Sequence, residues 1–298
     1  MEQLRFFRSF DAQKLAYRVF LSSDQNQENQ SQQQNASSRL NVLCLSGIAR
    51  SSLDFVDLAK LLSAHHCKVV CLDYRGRGLS EWSSNPMQSY LPKTYLEDIR
   101  HLCICERLEN ILIVGTSLGG ILAMGMATYM PSLLSGIILN DVGAKISLSA
   151  VEKIRNYISE RHVHRTKNEG IKLLKSMIPN DYYDHESCWH KLHQNTFNGN
   201  EQQGYFAHWD PAIAKPLQNK IDLSDLSVLF KAIKPFPTLA VRGEHSRLLT
   251  KEYFCEMISL KPDLERIEIK GRGHTPFLDE PAFIDAVIPF IKTLRNKG

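Results

Sequence analysis

Ser117 lies in Gly115-Thr116-Ser117-Leu118-Gly119, a Gly-x-Ser-x-Gly pentapeptide that ends the apolar run Ile111–Val114 and precedes a second apolar stretch from Ile121 to Met130. That setting predicts a sharp strand-to-helix turn that lifts a hydroxyl above a sheet, with glycines giving the space such a turn needs. A serine hydroxyl is a weak nucleophile near neutral pH, so it requires a base within hydrogen-bond reach and donors for the oxyanion that forms on attack. His274 is the candidate base: it follows Gly271-Arg272-Gly273 after the last expected strand, where a loop can hang an imidazole over the sheet. The remaining histidines fall in expected helices, in the segment after Ala144 or in variable loops. The expected oxyanion donors are the backbone N–H of Leu118, directly after the serine, and that of Ile48 in the loop Ser46-Gly47-Ile48-Ala49, with Ala49 as the one-residue alternative.

An imidazole acting as base is held in one tautomer by a carboxylate. Two residues could supply it. Asp141 follows an apolar run in Leu139-Asn140-Asp141-Val142-Gly143, and Glu244 follows Gly243 in Arg242-Gly243-Glu244-His245-Ser246-Arg247. Asp141 is preferred, because a carboxylate at the end of the strand beside the serine-bearing one can reach the far nitrogen of the ring. Glu244 sits so close to its strand that its side chain can point away from His274.

The elements that must position these residues follow from periodicity. Leu4–Phe10 and Leu15–Leu21 read as a hairpin around Asp11-Ala12-Gln13-Lys14. Residues 22–39 contain six glutamines and almost nothing apolar, so they are expected to form a mobile loop, an insertion between two strands. Short β runs at Asn41–Leu45, Lys68–Leu72, Ile111–Val114 and Leu134–Asn140 then alternate with the amphipathic stretches Leu53–His65 and Pro92–Leu108. This alternation predicts a parallel sheet wound on both faces by helices, with ligands at the carboxyl ends of the strands. From Ala144 to about Ser224 it stops, and the segment reads as helices only: Ser149–Arg161, Lys167–Met177 and Glu186–Phe197. It is rich in Tyr, His and Trp, as expected of a cap over the strand ends. Strands at Thr238–Arg242 and Leu264–Ile269 and helices at Leu226–Ile233, Lys251–Ser259 and Pro281–Leu294 complete the pattern.

Taken together, Gly115-Thr116-Ser117-Leu118-Gly119, Asp73-Tyr74-Arg75-Gly76-Arg77-Gly78-Leu79-Ser80 and Gly271-Arg272-Gly273-His274 resemble the marks of the α/β-hydrolase superfamily over nearly the whole chain. The resemblance implies a doubly wound, mostly parallel eight-stranded sheet. Residues 1–143 and 225–298 would form the core and 144–224 an inserted helical cap. The second mark resembles the family's Asp-x-Arg-Gly-x-Gly-x-Ser loop. Two departures stand out: Ser46-Gly47 replaces the usual His-Gly of the oxyanion loop, and Arg247 stands where relatives tend to carry the acid. One branch of small esterases and acyl-thioesterases, which the chain also resembles, takes its acid from an Asp-(Ile/Val)-(Ala/Gly) motif and an assisting serine from Gly-x-Ser after strand seven. Asp141 and Ser246 match those positions.

Bulk properties narrow the function. Thirty-six basic and 32 acidic residues give a net charge of +4 with no basic run, so no nucleic-acid partner is expected. Seven cysteines in a chain long enough to need no staples fit reduced thiols and a cytoplasmic setting, and Cys103-Ile104-Cys105 lacks the partners of a zinc site. No apolar leader is expected at the N-terminus. The charge-free run Ile111–Leu139 is broken by Gly115, Gly119, Gly120 and Pro131, so it reads as strand, helix and strand rather than a membrane span. Neither a metal nor another cofactor is implied. The sequence therefore reads as a serine hydrolase, cleaving an ester or thioester of a small to medium acyl group through a Ser117 acyl-enzyme. Carbon–carbon or lactone hydrolysis of ring-cleavage products, and ligand binding without turnover, are the alternatives. The latter draws on Arg247. Monomer and homodimer are equally open.

Overall fold

The computed structural model describes residues 1–22, 40–218 and 224–296. The loop expected over 22–39 lies outside the described residues apart from Ser22. The chain opens with β1 (Glu2–Arg8) and β2 (Lys14–Phe20), an antiparallel hairpin that turns through Ala12 at a φ of 66°. There follow β3 (Asn41–Leu45), α1 (Val56–Ala64), β4 (Lys68–Leu72), the single turn α2 (Pro86–Ser89), α3 (Pro92–Cys105), β5 (Ile111–Thr116), α4 (Leu118–Tyr129) and β6 (Leu134–Asn140).

After a long excursion come α8 (Ser227–Ala232), β10 (Thr238–Gly243), α9 (Lys251–Leu260), β11 (Glu265–Ile269) and α10 (Pro281–Arg295). Eight strands form one sheet in the order β1-β2-β4-β3-β5-β6-β10-β11, parallel from β4 to β11. This is the expected α/β-hydrolase fold.

The central strands are buried on both faces, which explains their unbroken apolar runs. Successive residues enter opposite layers: Leu112, Val114 and Ile138 pack with Leu58 and Leu62 of α1 and Phe283 and Val287 of α10. Ile111, Ile113 and Ile137 pack with Ile99 of α3 and Leu122 and Met126 of α4 on the other side. Register then sets the site. Leu45 pairs with Gly115, and Asn140 pairs with both Thr116 and Val241, so β3, β5, β6 and β10 end nearly level. The chain leaves all four side by side.

The excursion differs from the helices-only expectation. It holds α5 (Leu148–Ile158), α6 (Lys167–Met177) and α7 (Glu186–Thr196), but also a three-stranded antiparallel sheet of β7 (Val163–His164), β9 (Gly204–Ala207) and β8 (Phe197–Asn200). Strands of two and four residues are too short to display a period of two. Their pairing depends instead on the turn between Gly199 and Gly204, whose φ angles are 119° and 79°. No helix among the described residues is long and apolar enough to cross a membrane.

Candidate active site

Ser117 sits at the junction of β5 and α4 with φ 52° and ψ −112°, a region that non-glycine residues rarely occupy. The surrounding backbone over-determines it. Its N–H continues the ladder to Asn140 C=O at 3.0 Å, and its C=O accepts from Gly120 and Ile121. Close packing requires the pentapeptide glycines. A Cβ on Gly119 would lie 1.9 Å from Leu45 O, and one on Gly115 would lie 2.5 Å from Gly119 O. The serine hydroxyl makes no hydrogen bond among the described residues and faces a cavity of about 250 Å³ that His274 also lines.

Asp141 is the residue after β6, with φ 56° and its N–H on Val241 C=O at 2.8 Å. Its carboxylate is fully buried and accepts three hydrogen bonds: Gly243 N–H to Oδ1 at 2.9 Å, Ser246 Oγ to Oδ2 at 2.5 Å and His274 Nδ1 to Oδ2 at 2.7 Å. A buried carboxylate needs such partners. The bond to Nδ1 sets the tautomer, leaving Nε2 free to accept a proton.

Of the two candidate acids, the structure brings Asp141 to the histidine. Glu244, with its side chain 41% exposed, accepts from Gly271 N–H at 2.9 Å and lies 3.7 Å from His245 Nε2. Its N–H is committed to Ile269 C=O, which directs the residue along the outside of β11. Ser246 Oγ, besides donating to Asp141, accepts from Leu248 and Leu249 N–H at 3.3 and 3.2 Å, so its lone pairs are used and its proton points at the carboxylate. Arg247 pairs with Asp181 at 3.1 Å at the cavity edge.

The loop after β3 lies against the serine: a Cβ on Gly47 would be 3.8 Å from Ser117 Cβ. Gly47, Ile48 and Ala49 line the cavity. The backbone N–H groups of Ile48, Ala49 and Leu118 have no acceptor among the described residues, so those named from the sequence are available as donors.

Some contributors carried no readable signal. Asn140 Nδ2 donates to Thr116 Oγ1 at 3.1 Å and to Pro276 C=O at 3.0 Å, tying the histidine loop to the strand ends. Tyr182 C=O accepts from Gly273 N–H at 2.8 Å, and Tyr183 stacks on Phe277. Burial pushes the Tyr182 phenol up to about 12, so it stays neutral beside the site. Its adjacency to Asp141 could have marked Asn140. The tyrosines sit some ninety positions from His274, and nothing local links them. The described residues contain no cluster of His, Cys, Asp and Glu suited to a metal ion, and all seven cysteines stand as thiols.

Comparison with known proteins gives the family. Residues 42–287 match the alpha/beta hydrolase family. The chain belongs to that family. A relative in Cupriavidus necator, named as a 3-hydroxybutyrate-oligomer hydrolase, is 31% identical over 257 residues, 83% of this chain and 86% of its own length. A 2-hydroxy-6-oxo-6-(2'-aminophenyl)hexa-2,4-dienoic acid hydrolase of Metapseudomonas resinovorans is 26% identical over 76% of this chain and 75% of its own. Among solved structures, an alpha/beta hydrolase from Novosphingobium aromaticivorans superposes with a TM-score of 0.86 at 30% identity, covering 100% of this chain and 99% of the other. The chain is thus a hydrolase of the alpha/beta type, with the buried Asp141 and the partly exposed His274 paired at the level strand ends beside the serine turn.

Proposed function

We propose that this alpha/beta hydrolase cleaves carboxylic esters through an acyl-enzyme on Ser117, with His274 as base and Asp141 as the carboxylate behind it. The observation that carries the reading is the His274 Nδ1–Asp141 Oδ2 bond of 2.7 Å, completed by Ser246, beside a left-handed serine that opens on the same cavity. In this mechanism Ser117 Oγ attacks the acyl carbon as its proton passes to His274 Nε2. The N–H of Leu118 and an N–H of the loop after β3, that of Ile48 or Ala49, hold the oxyanion. Collapse expels the alcohol or thiol, which takes the proton from His274, and a water activated by the same nitrogen releases the acid.

Residues 144–224 serve as a cap in this reading. Ile154, Tyr157, Leu174 and Ile178 make the cavity roof apolar, as a small acyl group requires. Lys153, also at the cavity, has no hydrogen-bond or ion-pair partner among the described residues, whereas Arg50 and Arg247 there are paired with Asp54 and Asp181. Such a mouth suits an ester whose leaving or acyl part carries a free carboxylate, as the end of a short hydroxy-acid oligoester does. The resemblance to the Cupriavidus necator oligomer hydrolase supports the same substrate class.

Labelling by a fluorophosphonate probe, followed by turnover of neutral p-nitrophenyl esters and of 3-hydroxybutyrate dimers and trimers, tests the reading. Loss of labelling in Ser117→Ala with faster turnover of the acid-bearing esters is expected. A folded wild type that neither labels nor hydrolyses would overturn it. Lys153→Gln should raise KM for the acid-bearing esters by about fivefold and leave neutral esters unchanged, the scale of one partly exposed ion pair. The similarity to the Metapseudomonas resinovorans enzyme keeps carbon–carbon hydrolysis as a second reading, and a vinylogous diketone in the same panel separates the two.

A further inference from the structure

The loop Asp73–Ser80 is the sequence mark that the chemistry above leaves unused. Two of its side chains reach the oxyanion loop. Tyr74 OH donates to Ser46 C=O at 3.3 Å, and Arg77 Nε donates to Ile48 C=O at 2.7 Å. Ser46 C=O also accepts from Gly119 N–H at 3.1 Å, and Gly47 C=O accepts from Arg50 N–H at 3.2 Å. Three successive carbonyls are therefore bound, while the N–H groups of Ile48 and Ala49 are free. A trans peptide is planar with C=O and N–H opposed, so binding a carbonyl from one side fixes its N–H on the other.

Arg77 is built for this position rather than for an ion pair. Its side chain is fully buried, yet it pairs with no carboxylate among the described residues. Nη1 donates to Arg75 C=O and to Tyr95 OH at 2.8 and 2.7 Å, and Nη2 has no partner. The guanidinium is sandwiched by aromatic faces, 5.9, 5.5 and 5.0 Å from the ring centres of Tyr74, Tyr90 and Tyr95. Burial raises all three phenols, so none becomes a counter-ion. An unpaired buried charge is costly, and here it is tolerated by ring faces and two backbone carbonyls.

We infer that Arg77 is a positioning residue for the hydrolysis reaction: it holds the Ile48 carbonyl away from the cavity and so turns the N–H of the same peptide, that of Ala49, toward Ser117, beside the Ile48 N–H, whose peptide is fixed by the bond from Arg50 N–H to Gly47 C=O. If the peptide flipped, it would present a carbonyl lone pair where negative charge develops. The bound cation also polarises the Ile48–Ala49 peptide and strengthens its N–H as a donor.

The inference rests on the proposed ester hydrolysis, and the experiment separates the two. Arg77→Met keeps an unbranched side chain as far as the Nε position and packs between the three rings without a donor. It should melt near the wild type but lose kcat by about 10- to 100-fold with KM changed by less than about threefold, less than deleting an oxyanion donor outright. Affinity for a boronic acid, which mimics the tetrahedral intermediate, should fall by the same factor as kcat, while affinity for the product acid stays constant. Arg77→Lys, which retains one donor and the charge, should recover most of the loss. If Arg77→Met does not fold, the lysine variant carries the same comparison against Arg77→Gln.

Unchanged kcat and boronate affinity in a folded variant would overturn the inference while leaving ester hydrolysis standing. Equal losses in affinity for the product acid and for the boronate would also overturn it, since they indicate general damage. A wild type without turnover would overturn the hydrolysis reading on which the inference depends.

Discussion

The strand ends and the segment above them are held by different forces. At the ends of β5, β6 and β10, backbone bonds fix the proposed reacting residues: Ser117 N–H to Asn140 C=O and Asp141 N–H to Val241 C=O. Above them, side chains do the holding. Trp209 Nε1 donates to Ile158 C=O at 3.0 Å, Tyr183 meets Trp189 edge-on at 5.2 Å, and His164 and His193 share a bond of 2.8 Å between their Nε2 atoms. A backbone ladder is insensitive to side-chain identity and rigid. A side-chain roof can vary in sequence and loosen without disturbing the ladder. The contrast teaches that the geometry at the strand ends and the shape of the cavity above it are separable in this molecule.

Substitutions at the floor should therefore strike turnover before stability, and the largest effect falls on Ser117. Ser117→Ala should lower ester hydrolysis by ~10⁵-fold or more with the melting temperature unchanged, read by steady-state rates and a thermal melt. Next comes Asp141→Asn, which should cost on the order of a thousandfold or more in kcat, whereas Glu244→Gln stays within about twofold. Parallel kinetics of the two variants check this, and the opposite ranking would move the acid to Glu244. Ser246→Ala removes one of three bonds to the carboxylate and should slow kcat by about tenfold, the worth of one hydrogen bond to a charged group.

The smallest effect belongs to the roof. Burial holds His193 at about 4 and lowers His164 as well, with Lys167 and His190 adding to the repulsion on His193, His162 adding to that on His164, and Glu169 opposing it. Both imidazoles thus bind protons less readily folded than unfolded. The stability of the neutral pair is complete above the ordinary value of 6.5 and is lost as pH falls toward about 4. Hydrogen exchange should accelerate over residues 163–207 in that interval while residues 111–141 keep their protection. Equal acceleration in both regions would end the distinction between floor and roof.

Elements with long, periodic patterns were readable in the chain: β6 and α6 have the bounds expected, and α4 follows directly after Ser117. Departures occur where a contact distant in sequence decides. The apolar start of Leu53–His65 is a 3₁₀ turn at Ser52–Phe55 before α1, because Asp73 Oδ1 accepts Ser52 N–H at 2.6 Å. The sheet β7-β9-β8 escaped notice because His164 pairs with Tyr205 across forty residues.

The sequence by itself determined the fold and singled out Ser117 and His274 as the proposed nucleophile and base, because the serine turn and the histidine loop are local structures whose glycines and apolar flanks are written consecutively. Only the tertiary structure showed that Asp141 meets His274 while Glu244 turns to Gly271, and that Arg77 donates to the Ile48 carbonyl. Both depend on strand register and on the side of a peptide plane that faces the core, and parallel pairing sets these between residues far apart in the chain.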